Sequence, residues 1–500
     1  MNNVPLSIGL SDYSGGFDPV SSDDLANLSK ALEAGQLQGG ALDNPNQTNG
    51  GALKVESLES SLKVLEFKDS DIRLWKRFPK SAAYNTVEEF NQLTSYGANR
   101  GGFNNEGELP EEEDSQYVRR AEHVKFLGVV KSITHPMELV TTQVGNLIQR
   151  ETTNGILWIL RKADQGLFHG DDKIVKQEFN GVYAQHLNND SFSSLDEYLN
   201  SEIVIDLRGK TLKEQSINGA CEVLVNKFCQ PNFLAAPPVV LSDFAENIYA
   251  RQRVAMGSQS DGTVMGAYIP GFQSQYGRIE FEYDIFAAKS RGRRGDSQQT
   301  SPKAPAQPVI SSVDINANDS QSKWEDSVGD VKYAVSAINR YGESALAISA
   351  TVTVANPTDS VDLTFTAGFG AYSPDAYVVY RSITNDNSPN NTTTFYPIMV
   401  VPASGTDVKR GSLASGVDGA LAGSVRDRNR FLPATEEAYL TQHDTDIYEF
   451  KQLAPIMKMD LAILGPARRF MVLLYGTPIV YAPGKIVKFI NIGRKDRIVS

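Results

Sequence analysis

Val140, Val144, Leu147, Ile148, Gly155, Trp158 and Ile159 recur at steps of three, four or seven residues, so they share one helical face. Pro136 stands just ahead of them, where proline is tolerated, and no other proline occurs until Pro231. Gly166 follows the cations Arg161 and Lys162, the pattern of a helix stop with positive charge at the dipole's negative end. The spacing predicts a helix from about 138 to 165, roughly 40 Å long at ~1.5 Å per residue. That is the length of a rod crossing a flat domain.

Ahead of this rod, Asp23 and Asp24 favour a short helix over about 22–34, and Leu53, Leu58, Leu62 and Leu65 favour another. Trp75, Phe78 and Pro79 then open an extended segment. Gly97, Gly101, Gly102 and Gly107 loosen one limb, and 117–133 has the β-rich character of a limb that returns. A two-stranded ribbon of that length cannot bury its faces alone and needs a neighbour to lie on. Its acidic run Glu111, Glu112, Glu113 and Asp114 and its basic pair Arg119 and Arg120 are either the candidate intersubunit contacts or a solvated charge run.

Beyond the rod, Ile203, Val204 and Ile205 predict a strand and LKEQSINGACEVLVNKF a helix. A short extended segment over 235–241 then leads to a helix capped by Ser242 or Asp243, with Phe244, Ile248 and Tyr249 inward. RGRRGDSQQTSPKAPAQ (291–307) has the composition of a linker, and its Arg291, Arg293 and Arg294 are expected in a solvated hinge, with phosphate contact the alternative. From 308 to 426 the texture is all-β. Val331, Tyr333, Val335 and Ala337 alternate, then Ile348, Ala350, Val352 and Val354, then Val361, Leu363 and Phe365. The closing stretch predicts two strands around Gly476, Thr477 and Pro478, with a turn at Pro483 and Gly484.

Five hundred residues imply several domains. With 41% hydrophobic and 22% charged residues the chain has material for a sizeable core. A net charge of −12 argues against a protein that coats nucleic acid through one large basic surface, although a container for DNA need not grip it. The first residues lack the basic start and apolar core of a secretory signal, and no apolar run approaches the ~18 residues of a membrane span. Cys221 and Cys229 lie eight apart in one expected helix, about 12 Å along its axis, too far for a disulfide. Reduced core thiols and a cytosolic origin follow.

No catalytic constellation emerges. His123, His135, His169, His186 and His443 never stand at metal-ligand spacing, and His169 beside Asp171 and Asp172 reads as a structural turn. Phosphate-loop, nucleophile-elbow and dinucleotide fingerprints are absent from the sequence. The expectation is no enzyme, no cofactor and no metal.

After the rod, Leu167-Phe168-His169-Gly170-Asp171-Asp172 leads into Phe179-Asn180-Gly181-Val182, with Phe179 placed to pin the returning chain. This resembles the segment after the spine helix in major capsid proteins of tailed bacteriophages, which share the Hong Kong 97-type shell fold. AYIPGFQSQYGRIEFEYDIF resembles their axial domain, and LLYGTPIVYAP (473–483) resembles the closing strands of their peripheral domain. YAVSAINRYGES (333–344) and AYVVYRS (376–382) resemble strands of fibronectin type III domains, in reversed order, which fits an immunoglobulin-like sandwich of altered topology.

The resemblance implies an α+β phage capsid shell fold plus an all-β immunoglobulin-like sandwich insertion. The expected parts are an N-terminal arm (1–81), an extended β-loop (82–137), spine helix and peripheral domain (138–200), and an axial domain (201–300). An immunoglobulin-like insertion (301–430) and a return through the axial domain to the closing peripheral strands (431–500) complete it. The implied function is a major capsid protein forming hexamers and pentamers of an icosahedral head. Its implied partners are scaffold, portal and decoration proteins and enclosed double-stranded DNA held without sequence specificity, with no membrane. Assembly would occur in the host cytoplasm. The alternatives are an encapsulin-like nanocompartment shell and a carbohydrate-binding phage tail or adhesin protein.

Overall fold

Alternating apolar residues from distant parts of the chain meet in two mixed sheets, with the rod packed on one of them. The computed structural model describes residues 66–97, 103–109, 112–139, 146–189, 191–251, 269–286, 288–289, 291–325, 327–403, 407–412, 422–462 and 465–495. All belong to one unit spanning 64–141 and 146–500; the other unit, 1–63 with 142–145, lies outside the described residues, as do both helices expected before 66.

Helix α1 (Leu74–Arg77) interrupts the extended run expected from Trp75, because Leu74 and Trp75 turn inward together. Strand β1 (Lys80–Ala82) follows, then the antiparallel ribbon of β2 (Val87–Ser95) and β3 (Gln116–His123). Strand β4 (Lys125–Thr134) continues from β3 and leads into α2 (His135–Leu139).

The rod is α3 (Leu147–His169), shifted toward the C-terminus from its expected bounds. Asn146 starts it: its Oδ1 accepts the backbone N–H groups of Ile148 (3.1 Å) and Gln149 (3.3 Å). Gly166 lies inside the helix rather than ending it. A Cβ there would sit 2.7 Å from the ring of Phe179, so the glycine makes room for the aromatic pin that the sequence suggested. The chain turns through α4 (Val182–Leu187) and α5 (Leu195–Leu199).

Strand β5 (Val204–Asp206), helix α6 (Glu214–Asn226), strand β6 (Phe233–Ala236) and helix α7 (Pro238–Arg251) come next. Helix α7 begins at Pro238, not at Ser242 or Asp243, since proline's fixed φ and missing N–H suit a first turn. Cys229 lies beyond α6, so the two free, buried cysteines do not share a helix. Strands β7 (Gly271–Ser274) and β8 (Gly277–Tyr283) pair antiparallel.

The expected linker contains β9 (Arg293–Arg294), which joins a sheet edge because Arg293 finds Glu343 at 2.5 Å. Then follow β10 (Val309–Asn316), β11 (Gly329–Val331), β12 (Tyr333–Asn339), β13 (Gly342–Glu343), β14 (Ala347–Ile348), β15 (Val352–Val354), β16 (Ser360–Thr366), β17 (Ala376–Arg381), β18 (Thr394–Pro402) and β19 (Ala422–Asp427). The alternation expected through 348–354 breaks between β14 and β15, which pair with different strands. The β10-β16-β19 sheet faces a second sheet, β13-β12-β17-β18-β9. Val361, Leu363 and Phe365 of the first meet Tyr333, Val335, Tyr377 and Val379 of the second in one buried cluster. Strand β12 is buried on both faces, because Ala334 packs with Leu346, Tyr380 and Phe395 in a smaller cluster behind.

Strand β20 (Glu436–Thr441) returns to the six-stranded sheet β5-β23-β20-β6-β8-β7, whose β23 is Ile486–Ile492. Between them, β21 (Tyr448–Asp460) and β22 (Ala467–Val480) form a long hairpin in the sheet β1-β21-β22-β4. Gly476, Thr477 and Pro478 do not divide β22. Gly476 leaves space for the Phe450 ring, which a Cβ would approach to 2.3 Å. Pro478 lies past the end of the β4 ladder, so no N–H is missed on that side.

Candidate assembly surface

The hairpin register decides which side chains share a face. Directly opposed residues point the same way, so three rows cross β4, β22 and β21. They are Phe126–Tyr475–Ala454, Gly128–Leu473–Met457 and Val130–Met471–Met459. The intervening residues Leu127, Val129, Val472 and Leu474 turn to the opposite side and pack with α3. Gly155 brings the helix close: a Cβ there would lie 3.1 Å from Val472 and 3.5 Å from Val129.

The outer rows are nearly all apolar; Phe126, Gly128, Val130 and Met459 in them are exposed and the rest half-buried. Phe126 is 62% exposed and Val130 58% exposed. The Phe126 ring stands edge-on to Tyr475 at 5.0 Å, so the patch has a fixed shape. A contiguous face of aromatic and thioether groups in water is the signature of a surface made to be covered.

The ribbon is the second half of the surface. At its base, Val124 N–H bonds the Thr86 carbonyl at 2.9 Å, and Asn180 Nδ2 donates to Glu122 Oε2 at 3.0 Å. Phe90 packs edge-on to Tyr481, and Gln92 Nε2 donates to the Tyr481 carbonyl. Farther out, Leu93, Tyr96 and Tyr117 are exposed, and Phe103 and Leu109 beyond the strands are wholly so.

Of the candidate contacts, Glu111 lies outside the described residues; Glu112, Glu113 and Asp114 are exposed ahead of β3. Arg119 reaches across the ribbon to Glu89 (3.4 Å) and Asn91 (3.3 Å), and Arg120 Nε donates to Gln92 Oε1 at 2.9 Å. Their described partners thus lie on β2 of the same chain. The apolar rows went unnoticed in the sequence because they require a register between strands more than 300 residues apart.

His186 and His443 carry structural contacts. His186 is fully buried, bonds Tyr198 through Nδ1 at 3.3 Å, and is pushed down to about 4 by burial. His443 meets the Tyr448 hydroxyl at 2.7 Å. Asp171 is taken by Arg410 in a two-pronged pair at 2.6 and 2.8 Å, closing the turn after the rod. Among the described residues no His, Cys, Asp and Glu group has the form of a metal site, and no helix is long and apolar enough to cross a membrane.

No protein-family model matches the chain. It is 23% identical over 450 residues to the major capsid protein of Staphylococcus phage K, covering 89% of this chain and 91% of that protein, with the same values for Staphylococcus phage S25-3. A protein of Enterococcus phage phiEF24C, provisionally given that name, is 22% identical over 473 residues, covering 94% of this chain and 96% of its own. Among solved structures, the capsid of a native GTA particle matches at 7% identity and a TM-score of 0.45, covering 90% of this chain and 99% of that one. A likeness of that extent does not argue for the fold; the weight lies on relatives matched along almost their whole length.

Proposed function

We infer that this chain, which belongs to the major capsid proteins of tailed phages, builds its shell by laying the ribbon of one copy over the open sheet face of the next. The observation that carries this is the three-row apolar face, partly exposed, beside a ribbon whose outer side and tip are open. In a closed assembly each exposed element becomes the cover for another, and closure sets the size. Hexamers and pentamers of an icosahedral head around double-stranded DNA are the arrangement we propose, assembled in the host cytoplasm with scaffold and portal proteins. Glu112, Glu113 and Asp114 would then meet cations of the adjacent copy. Full-length kinship to phage proteins favours this over a nanocompartment shell.

The role proposed is structural rather than enzymatic. The two facing sheets of 293–427 support an immunoglobulin-like domain, which we place on the outer side of the wall.

The test is assembly of Phe126→Glu with Val130→Asp, co-expressed with candidate scaffold. Both side chains are exposed in the single chain, so its melting temperature is expected to hold. Shell yield by sedimentation and negative-stain microscopy is expected to fall about tenfold or more, since charge enters the centre of the contact. Wild-type shells from the double variant would sink the proposal.

A further inference from the structure

Where the returning strands meet the two facing sheets, the described residues enclose a cleft of about 430 Å³. That size, at a seam between parts of a chain, is typical of small-molecule sites. Its lining includes Lys289, Lys488 and Arg291, with Glu437 as the carboxylate between the two lysines. Glu437 Oε1 is 2.7 Å from the Lys289 ammonium, and its Oε2 is 2.7 Å from that of Lys488. Arg291 is exposed, and its guanidinium has no side-chain or backbone acceptor among the described residues.

Lys488 is 2% exposed, and Glu437 is the one described oxygen-bearing partner of its ammonium. The rest of that ammonium faces rings, 3.7 Å from the centroid of Tyr183. Its pKa is pushed down to about 8 by burial, with Glu437 pulling it up and Lys289 pushing it down. For Glu437, burial alone would raise the pKa, but Lys289 and Lys488 outweigh it and hold the carboxyl well below its usual range. The other cations lining the cleft are spoken for: Arg293 by Glu343 and Arg410 by Asp171.

Three cations against one carboxylate leave two positive charges facing a cleft whose remaining wall is largely apolar, with Ile398, Met399 and Phe431. We propose that this cleft binds a small phosphate monoester: a dianionic phosphate among Lys289, Arg291 and Lys488, and an apolar body along Ile398, Met399 and Phe431. The dianion matches the surplus charge, and charge-assisted bonds to an otherwise buried ammonium are strong. Such a ligand would touch both the returning strands and β18, tying the two together. The proposal does not depend on the assembly reading.

The probe is phenyl phosphate, titrated into the purified full chain by calorimetry and by thermal melt, with inorganic phosphate and phenol alongside. Saturable binding and a raised melting temperature are expected with phenyl phosphate and with neither fragment. Arg291→Ala, an exposed position, is expected to melt as wild type without ligand and to bind about tenfold more weakly, the cost of one charged hydrogen bond. Met399→Trp, which fills the apolar end, is expected to weaken phenyl phosphate likewise. The proposal is overturned if phenyl phosphate does not bind saturably at millimolar concentration, if inorganic phosphate binds equally well, or if Arg291→Ala leaves the affinity unchanged.

Discussion

Asp164 sits on the buried face of α3, a position that a hydrophobic stripe would give to leucine. Its Oδ1 accepts the Trp75 N–H at 2.9 Å, and its Oδ2 has no partner among the described residues. Burial pushes its pKa up to about 8, with the nearby Asp284 adding to the rise while the Trp75 amide and Lys80 oppose it. Asp284 faces it from the end of β8 and Lys80 from β1; Arg73 and Arg77 turn instead to Glu282 and Glu280, and Lys76 to Asp69. The folded chain therefore keeps this proton up to about pH 8, while the unfolded chain releases it near the ordinary value of 3.8. Stability from this group is complete below that lower value and is lost as pH rises through the folded pKa, by up to about 1.4 kcal/mol per unit. Asp164→Asn retains the acceptor for Trp75 and removes the titration. The variant is expected to melt higher than wild type at pH 8, with the gap narrowing as pH falls toward 5. Parallel melting curves across that range would refute this. Nothing in the sequence pointed to Asp164, because a polar residue inside an apolar stripe announces no partner until β8 is folded against it. Phe179 was legible, since an aromatic next to Asn-Gly after a Gly-Asp turn has few places to go except back onto the rod.

Strand β22 outruns its partner: pairing with β4 stops at Gly476, and the strand continues to Val480. Gln185 of α4 takes over the vacant edge. Its Nε2 donates to the Pro478 carbonyl at 2.8 Å, and its Oε1 accepts the Val480 N–H at 2.7 Å, as a neighbouring strand would. This is why proline and glycine inside the stretch did not produce the expected pair of strands. A side-chain amide that completes a ladder leaves no periodicity to read, and the expectation of a break followed from local propensity alone. Gln185→Leu keeps the volume and removes the amide's bonds to three backbone groups at once, the Pro478 and Asn180 carbonyls and the Val480 N–H. The expected loss is about 1–3 kcal/mol for each group left unsatisfied, measured as a fall in the urea midpoint. A midpoint within error of wild type would show that β22 holds its course without the amide.

At the scale of the whole molecule, the all-β segment is fused to the rest rather than hung from it. The cluster that joins its two facing sheets also contains Leu187, Tyr198, Val204 and Ile490, which belong to α4, α5 and the strands of the returning sheet. The segment 427–430 repeats the connection in polar form. Asp427 pairs with the wholly buried Arg381 at 2.6 Å, Arg428 with Asp196 and with Asp319, and Arg430 Nη1 with Asn200 at 3.0 Å. The sequence suggested a separable insertion because its texture changes near 308 and again near 426. Texture reports the period of the local elements, however, and says nothing about which of their buried faces are shared. Shared burial makes unfolding cooperative across the seam. Phe365, wholly buried in the β10-β16-β19 sheet, provides the test. Phe365→Ala removes about 3–5 kcal/mol of packing from the β10-β16-β19 side of that shared cluster. If the core is common, calorimetry of the variant shows one transition moved down in temperature. If the segment folds on its own, the variant gives two transitions, and the upper one stays where wild type melts.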